Sequence, residues 1–379
     1  MKSIKFLICF SLFVTLAFAN DKSSEEVPPQ PPSIITEPAQ PENHTNNFDP
    51  ENCKIDPPPT DEELTEYFEW MDKHNKNWRN ATQRKCKLIR VVYNMREIKA
   101  HNQRFKEGKE TYEKDLWTGS EFTDEEKFKE YKIKEFPQLI KTRQAPASLP
   151  NLPPPVASVD YREKGWISPS VPQNGCGSCW AFAAITPLEA QVRKCNISNE
   201  TLSIQSMVDC CTVGCWGCQS GWPHYGYRWI RLNAIVTNAS YPYTARVRNC
   251  TFDKTKAIAL IDSHRNYQFP NGNASFIQQL VSTYGPVATV MCVEGTIFSY
   301  KSGVYSSTNP CTTPMHGVVI VGYGTDPVGG DFWIIKNSWG PGFGDNGFFK
   351  MKRGTNNCLI ESNISIPFVK KLDGTPCPN

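Results

Sequence analysis

The sequence lacks three features, each of which would assign it to a large class of proteins. Beyond the N-terminus, no uninterrupted apolar run in its 379 residues reaches the ~18 residues that cross a membrane. Neither sign of charge dominates, because 41 Lys and Arg stand against 38 Asp and Glu, a net charge of +3. Internal repeats are absent. These absences argue against a mature protein that spans a membrane, a nucleic-acid binder with a concentrated basic surface, and a repeat array.

Cysteine is abundant, and the N-terminus agrees with what that abundance indicates. Fifteen cysteines are typical of an oxidising compartment. Lys2 and Lys5 precede an apolar run over residues 6–18, which ends in a small-x-small cleavage pattern at residues 17–19. We therefore predict a signal peptide over residues 1–19; the alternative is a buried N-terminal helix.

The next two zones differ sharply in composition. Residues 20–60 are rich in proline, which predicts a poorly ordered, extended spacer rather than a ligand for a proline-recognising domain, since such domains are mostly cytosolic. Residues 61–145 are densely charged and have helical periodicity. Thr60 and Glu63 form a capping-box pattern, and the apolar stripe of the helix after it is Leu64, Tyr67, Phe68 and Met71. A second helix is predicted over residues 82–105, with one apolar side formed by Leu88, Val91, Val92, Met95 and Ile98.

A proline-rich junction at residues 146–155 leads into the last zone, residues 156–379. This zone has a helical pattern early and short β-type runs late, at residues 288–293, 318–323 and 332–335. Hydrophobic residues make up 39% of the chain, enough for a sizeable core. The predicted fold class of this zone is α+β.

One cysteine in this zone has the surroundings of a nucleophile. Gly177-Ser178 reads as a turn that feeds a helix beginning near Cys179, and a helix N-terminus lowers the pKa of a thiol. A thiolate also needs an imidazole, and the imidazole needs an orienting group. His316 opens one β-type run and Asn337 follows another, so these two residues are the candidates.

The stretches around Cys179, His316 and Asn337 resemble the signatures of papain-like cysteine peptidases, the cathepsin family. The resemblance implies a two-subdomain fold, with a helical subdomain that carries the nucleophile and a β-barrel-like subdomain that carries the histidine. It implies a secreted or lysosomal cysteine endopeptidase, made as an inactive zymogen, that forms an acyl-enzyme and needs no cofactor or metal. Gln173 would donate to the oxyanion, and Trp339 would shield the histidine–asparagine hydrogen bond from water.

The resemblance also implies a substrate-binding segment and partners. Gly221 would pair with the substrate backbone, and the pocket for the second residue before the scissile bond would have apolar walls and a polar floor. Its walls would be Trp222, Pro223 and Pro314, and its floor Asn363. Residues 61–145 would be an inhibitory propeptide, although Asp115, Trp117, Gly119 and Glu121 depart from the motif that normally follows its long helix. Partners would be polypeptide substrates, this propeptide and inhibitors of the cystatin type, with a monomeric enzyme and no nucleic acid.

Other interpretations of these residues remain open. Cys176 and Cys179 could form a redox pair, or join Cys215 and Cys218 in a zinc site. The chain could be a catalytically silent binding protein with the same fold. It could also be an exopeptidase, although the loop after Gly221 lacks the histidine-bearing insertion of cathepsin B-like enzymes. Residues 61–145 could be a plain helical domain.

The resemblance implies the disulfides Cys176–Cys218, Cys210–Cys250 and Cys311–Cys358. Cys195, Cys211, Cys215, Cys292 and Cys377 are then left, an odd number, and we expect Cys292 to be a buried free thiol. Ile204 stands where the family frequently has Glu. Eight Asn-x-Ser/Thr sequences occur. We expect no glycan at Asn249 or Asn363, and glycans at Asn43, Asn80, Asn196, Asn199, Asn238 and Asn273.

Overall fold

A computed structural model describes residues 47–49, 52–78, 80–131, 133, 136, 149–308, 313 and 315–377. Contacts divide the chain into Met1–Thr45 and Asn46–Asn379, and all described residues belong to the second unit. The predicted signal peptide and Asn43 lie outside the described residues. Among the helices that the structure describes, none is long and apolar enough to cross a membrane.

The last part of the predicted spacer is folded, which corrects the expectation for residues 47–49 and 52–60. Strands β1 (Asn47–Asp49) and β2 (Lys54–Asp56) pair antiparallel. Cys53 forms a disulfide with Cys86, and Arg96 donates hydrogen bonds to the carbonyl groups of Pro57 and Pro58. The proline content indicated a spacer because this segment is held by Cys86 and Arg96, and contacts with residues so distant in sequence leave no local pattern.

Two helices follow and pack on each other. Helix α1 (Asp61–Lys73) begins with the predicted capping box of Thr60 and Glu63. The predicted stripe is partly wrong, because Phe68 is 58% exposed while Tyr67 and Trp70 are buried. Helix α2 (Ala81–Lys106) is within one residue of its predicted bounds. Its buried side differs little from the prediction and contains Ile89, Val91, Val92, Met95, Ile98 and His101.

The segment after α2 runs onto the last zone. Strand β3 (Tyr112–Lys114) pairs antiparallel with β7 (Tyr300–Tyr305), so it extends the large sheet at its edge. Asn102 holds β3 to α2 by two hydrogen bonds with the backbone of Lys114. Helix α3 (Asp124–Glu130) follows. The N-terminal segment therefore docks on the rest of the chain through main-chain pairing as well as through side chains.

The last zone has the α+β architecture expected for it. Helices α4 (Cys179–Lys194), α5 (Ile204–Cys210) and α6 (Pro223–Asn233) surround one core. The sheet follows in the order β3-β7-β10-β9-β8-β6-β11-β5, with β4 (Val159–Asp160) against β8. Its other members are β5 (Leu260–Gln268), β6 (Val287–Met291), β8 (His316–Asp326), β9 (Gly330–Lys336), β10 (Phe348–Lys352) and β11 (Asn363–Lys370). Helix α7 (Ala274–Tyr284) contributes to the core on the sheet side.

Disulfides join Cys176 to Cys218 and Cys210 to Cys250, the pairs that the resemblance implies. Two further bonds, Cys195–Cys377 and Cys211–Cys215, account for four of the cysteines left unassigned. Because Cys176, Cys211, Cys215 and Cys218 are all in disulfides, neither the redox pair nor the zinc site forms.

The expectation for the remaining cysteines was wrong. Cys292 is disulfide-bonded rather than free, and Cys358 is a free, buried thiol, so the Cys311–Cys358 bond is not present. Cys311 itself lies outside the described residues. The backbone N–H of Cys292 donates to the Cys358 carbonyl at 2.9 Å, so these two cysteines are neighbours. A sequence pattern cannot decide which of two cysteines that are neighbours in space forms a disulfide.

Candidate active site

Cys179 begins α4, directly after a turn that contacts a second loop. The N–H of Gly177 donates to the Cys218 carbonyl at 2.9 Å, and a Cβ on Gly177 would lie 2.6 Å from that oxygen, so the turn requires glycine. The Cys179 side chain is buried. Its sulfur faces backbone N–H groups of Gly317, Trp180 and Cys179 itself, which favour a thiolate.

His316 and Asn337 meet because β8 and β9 are adjacent antiparallel strands. His316 is the first residue of β8, and Asn337 directly follows β9. The His316 Nε2 lies 2.7 Å from the Asn337 Oδ1, an oxygen that also accepts the N–H of Ser338. An acceptor at this position fixes the tautomer with the proton on Nε2, so Nδ1 of the neutral ring can take a proton. That Nδ1 is buried and has no hydrogen-bond partner in the described part of the chain.

Strand β8 approaches α4 through a glycine. A Cβ on Gly317 would lie 3.0 Å from the backbone oxygen of Cys179, tighter than most contacts of this kind. Glycine at this position therefore lets the residue after His316 pack directly against the start of α4. This close approach brings the thiol and the imidazole, which are far apart in sequence, to one place.

Trp339 covers the imidazole. Its ring stacks on His316 with centroids 5.0 Å apart, and on Phe298 at 4.8 Å. Trp117 of the N-terminal segment stacks on Phe298 at 5.5 Å and lies 6.2 Å from Trp339. The Trp339 ring therefore lies against the imidazole that is hydrogen-bonded to Asn337, and its role in shielding this bond stays a prediction.

Gln173 is oriented by residues that the sequence analysis did not select. The Ser338 hydroxyl donates to Oε1 of Gln173 at 2.7 Å, and Nε2 donates to the Cys176 carbonyl at 2.9 Å. The Tyr243 hydroxyl lies 2.8 Å from the Gln173 carbonyl oxygen and 2.6 Å from the Ser178 hydroxyl. The position of Ser338 next to Asn337 was the one signal available for it, and Tyr243 had none.

The N-terminal segment occupies this same site. Nε2 of Gln173 also donates to the carbonyl oxygen of Tyr131, at 3.1 Å. The Tyr131 ring lies 5.9 Å from Trp339 and 5.2 Å from Trp117. Ile133, two residues on, is buried in the core of the sheet side. A carbonyl of the chain itself therefore takes the donor that was predicted for an oxyanion.

Burial keeps both reactive groups uncharged in this state. Burial raises the pKa of the Cys179 thiol to about 11, although the backbone N–H groups act in the opposite direction. Burial lowers the pKa of His316 to about 4, although the hydrogen bond with Asn337 favours the protonated ring. Near neutral pH the pair is thus a thiol and a neutral imidazole.

One cavity brings together most of the predicted pocket residues. Trp222, Pro223 and Asn363 line it, and Pro314 lies outside the described residues. Phe136 of the N-terminal segment packs on Trp222 with ring centroids 4.8 Å apart. Gly221 lies next to this wall and packs against the Trp180 ring. Residues that sequence analysis did not select also line it: the polar residues His224, Asn266, Thr289 and Ser365, and the apolar residues Ala288 and Val290.

His224 is unusual among these polar residues. It is 8% exposed, and its Nε2 has no hydrogen-bond partner in the described part of the chain. Burial, and secondarily the neighbouring His264, lower the pKa of His224 to about 4. The lining of the cavity is therefore partly polar, and burial favours the neutral form of the imidazole in it.

Comparison with known proteins agrees with this geometry. A family model described as papain family cysteine protease matches residues 155–368. Cathepsin S of Mus musculus is 33% identical over 309 residues, covering 79% of this chain and 88% of the relative. Cathepsin L1 of Drosophila melanogaster is 34% identical over 327 residues, covering 81% and 85%.

Solved structures of precursors have the same fold over nearly their whole length. The digestive procathepsin L 3 of Tenebrio molitor larval midgut superposes with a TM-score of 0.71 at 27% identity, covering 81% of this chain and 99% of that one. A recombinant stem bromelain precursor gives a TM-score of 0.71 at 26% identity. The chain belongs to the papain family of cysteine proteases.

Proposed function

We propose that this cysteine endopeptidase, made as a zymogen, uses Cys179 as nucleophile, His316 as base and Asn337 as the residue that orients the imidazole. The observation that carries the assignment is the 2.7 Å contact between His316 and Asn337, made beside a cysteine at a helix start. The buried Nδ1 of His316, with no partner, is the atom suited to take the thiol proton.

The reaction follows from these positions. Transfer of the thiol proton to His316 gives a thiolate, which attacks the substrate carbonyl carbon. The Gln173 Nε2 and the Cys179 backbone N–H stabilise the oxyanion. When the intermediate collapses, the imidazolium protonates the leaving amine and an acyl-enzyme remains. His316 then takes a proton from water as the water oxygen attacks the acyl carbon. The carbon–sulfur bond breaks, the carboxylic acid leaves, and His316 returns the proton to the Cys179 sulfur.

The same contacts support inhibition by the propeptide, residues 61–145. The Tyr131 carbonyl accepts the hydrogen bond from Gln173 that the oxyanion would need. Phe136, later in the chain, packs on Trp222 at the proposed pocket, where a substrate would place a residue that precedes its scissile bond. The propeptide therefore runs opposite to a substrate. Cys179 and His316 are buried while the propeptide is in place, and burial favours their uncharged forms.

The cavity beside Trp222 and Pro223 is proposed as the pocket for the second residue before the scissile bond. Its floor of Asn363 and His224 is polar, so we expect this pocket to accept polar as well as apolar side chains. Peptides that differ only in Phe, Leu, Val, Arg or Asp at this position would measure its preference. A profile dominated by aspartate would contradict the proposed pocket.

Hydrolysis of a peptide blocked at both ends tests the function. Acid-processed protein is expected to cleave an internally quenched peptide with an acetylated N-terminus and an amidated C-terminus, because an endopeptidase needs neither terminus. Cys179→Ala should abolish cleavage, while Cys358→Ala, at the other buried free thiol, should retain it. Cleavage of unblocked peptides alone would indicate an exopeptidase. No cleavage by folded, processed protein would favour the silent binding protein.

The remaining assignments follow the sequence. We propose residues 1–19 as signal peptide, residues 156–379 as peptidase domain, and a lysosomal or extracellular location for a monomeric enzyme open to cystatin-type inhibitors. Asn196 and Asn199 are exposed, and Asn80 is exposed while its Oδ1 caps α2. Asn238 and Asn273 are half-buried and accept backbone hydrogen bonds through Oδ1. Mass spectrometry of the secreted glycoprotein would test these predicted glycans.

A further inference from the structure

A cavity of about 490 Å³ lies against α4, and neither Cys179 nor His316 nor Gln173 is among its lining residues. Its size is within the ~300–1,000 Å³ typical of small-molecule sites. One wall is formed by α4, and the loop around Val171 and the start of α5 at Ile204 form others. Val171 is 47% exposed, so it stands at the mouth. The apolar lining consists of Val171, Phe182, Ile185, Leu202 and Ile204, together with Pro169 and Pro172.

Two charged residues line this cavity, and one of them, Glu189, accepts a hydrogen bond on each of its carboxylate oxygens. Glu189 is 3% exposed; its Oε1 accepts the N–H of Leu202 at 2.8 Å, and its Oε2 accepts the Ser168 hydroxyl at 2.6 Å. Lys336 is 8% exposed, and its Nζ donates to the Ser168 hydroxyl oxygen at 3.0 Å. The Lys336 ammonium group has three N–H donors, and among the described residues its one hydrogen bond is the one to Ser168.

The charges around Lys336 do not balance. The ionised groups that act on it are Glu189 and Arg193, and Arg193 lies 3.7 Å from Glu189. Two cations thus share one carboxylate, and that carboxylate already accepts two other hydrogen bonds. Ile204 contributes no charge, although the family frequently has Glu at this position. A buried cation without a full partner is costly, so an anion at this end of the cavity would be stabilised.

We propose that this cavity binds an amphipathic small molecule with an anionic head, such as an alkyl or aryl carboxylate. The head would pair with Nζ of Lys336, and the apolar body would lie along Phe182, Ile185 and Ile204 toward the mouth at Val171. Neither Cys179 nor His316 lines this cavity, so binding can be tested on a zymogen that cannot process itself.

The test uses Cys179→Ala zymogen with 1-anilinonaphthalene-8-sulfonate as a fluorescent probe and decanoate as competitor. One saturable site is expected, from which decanoate displaces the probe, whereas decyltrimethylammonium, of equal chain length, does not. Val171→Phe should narrow the mouth and weaken decanoate binding at least tenfold. The matched control is Val328→Phe, at a valine that is 64% exposed between β8 and β9 and outside the cavity lining.

Lys336→Met, which keeps length and removes charge, should also weaken decanoate binding at least tenfold and abolish the preference over the cation. Undiminished decanoate binding in Val171→Phe or in folded Lys336→Met would overturn the proposal, as would equal competition by the cation. If Lys336→Met does not fold, the choice between anion and cation and the Val171→Phe result still decide it.

Discussion

At the scale of single residues, two neighbours in one loop organise the site. Asn337 fixes the imidazole of His316, and Ser338 fixes the amide of Gln173 through its hydroxyl. The sequence identified Asn337 and Gln173 because each stands in a motif, but it missed Ser338 and Tyr243. The roles of these two residues depend on contacts between loops that are distant in sequence.

Gln173→Ala should lower kcat of the processed enzyme by about 10²–10³ with little change in KM, because the lost donor acts mainly on the oxyanion. Ser338→Ala, which leaves the Gln173 amide present but less well oriented, should have a smaller effect in the same direction. Steady-state kinetics on one blocked peptide measure both. Full activity in folded Gln173→Ala would show that the oxyanion is held by other donors.

Asn337→Ala should change the pH profile as well as the rate. The hydrogen bond that His316 donates to Asn337 raises the pKa of His316, so its loss should lower the pKa of the imidazolium that accompanies the thiolate. The alkaline limb of kcat/KM would then move to lower pH, with a fall in kcat because the ring is no longer held. An unchanged alkaline limb would mean that Asn337 does not contact the reacting histidine in the processed enzyme.

At the scale of elements, helices were predicted better than edge strands. The periodicity of α2 gave its bounds within a residue, because a long helix carries its pattern in its own sequence. Strand β3 has three residues and owes its conformation to β7, its neighbour in the sheet, which lies almost 200 residues away in the sequence. The burial of Trp70 in place of Phe68 has a similar cause, since Nε1 of Trp70 donates to the Trp117 carbonyl.

The contact between α3 and the peptidase domain offers a selective variant. A Cβ on Gly295 would collide with the Asp124 carboxylate of the propeptide. Gly295→Val should therefore weaken propeptide docking by about 1–3 kcal/mol and speed autoprocessing roughly tenfold, while kcat/KM of the processed enzyme stays unchanged. The rate of precursor loss on gels and the kinetics of processed enzyme measure the two effects.

The control is Gly295→Val combined with Asp124→Ala, which removes the collision and should restore slow processing. If the double variant processes as fast as Gly295→Val alone, the effect does not come from this contact.

At the scale of the whole molecule, the resemblance was sufficient for the fold and for the order of propeptide and peptidase, because three motifs together are highly specific. The resemblance did not predict the pairing of Cys292 or the folding of residues 47–49 and 52–60, since each depends on which distant groups become neighbours.

The histidines of the described chain give a prediction about acid. Burial is the largest influence on each and lowers the pKa of His74, His101, His224, His264 and His316. The unfolded chain takes up these protons near pH 6.5 and the folded zymogen only at lower pH, so the free energy of unfolding should fall as pH drops from 6.5 toward 4. His224 and His316, each with a pKa of about 4, should contribute most, about 3 kcal/mol apiece.

Denaturant unfolding of Cys179→Ala zymogen at pH 7 and pH 4.5 measures this loss. His224→Gln should reduce the difference between the two pH values, because glutamine does not titrate. A zymogen equally stable at both values would show that the buried histidines do not couple folding to pH.

The most direct test of the account is covalent labelling of Cys179 before and after the propeptide is removed. Protein is treated with an irreversible epoxide inhibitor of cysteine peptidases, and the adduct is mapped by mass spectrometry with Cys179→Ala in parallel. We predict one adduct, on Cys179, in processed protein and none in the intact zymogen, where the thiol is buried and uncharged. No adduct on folded, processed protein, or equal labelling of the zymogen, would contradict the account.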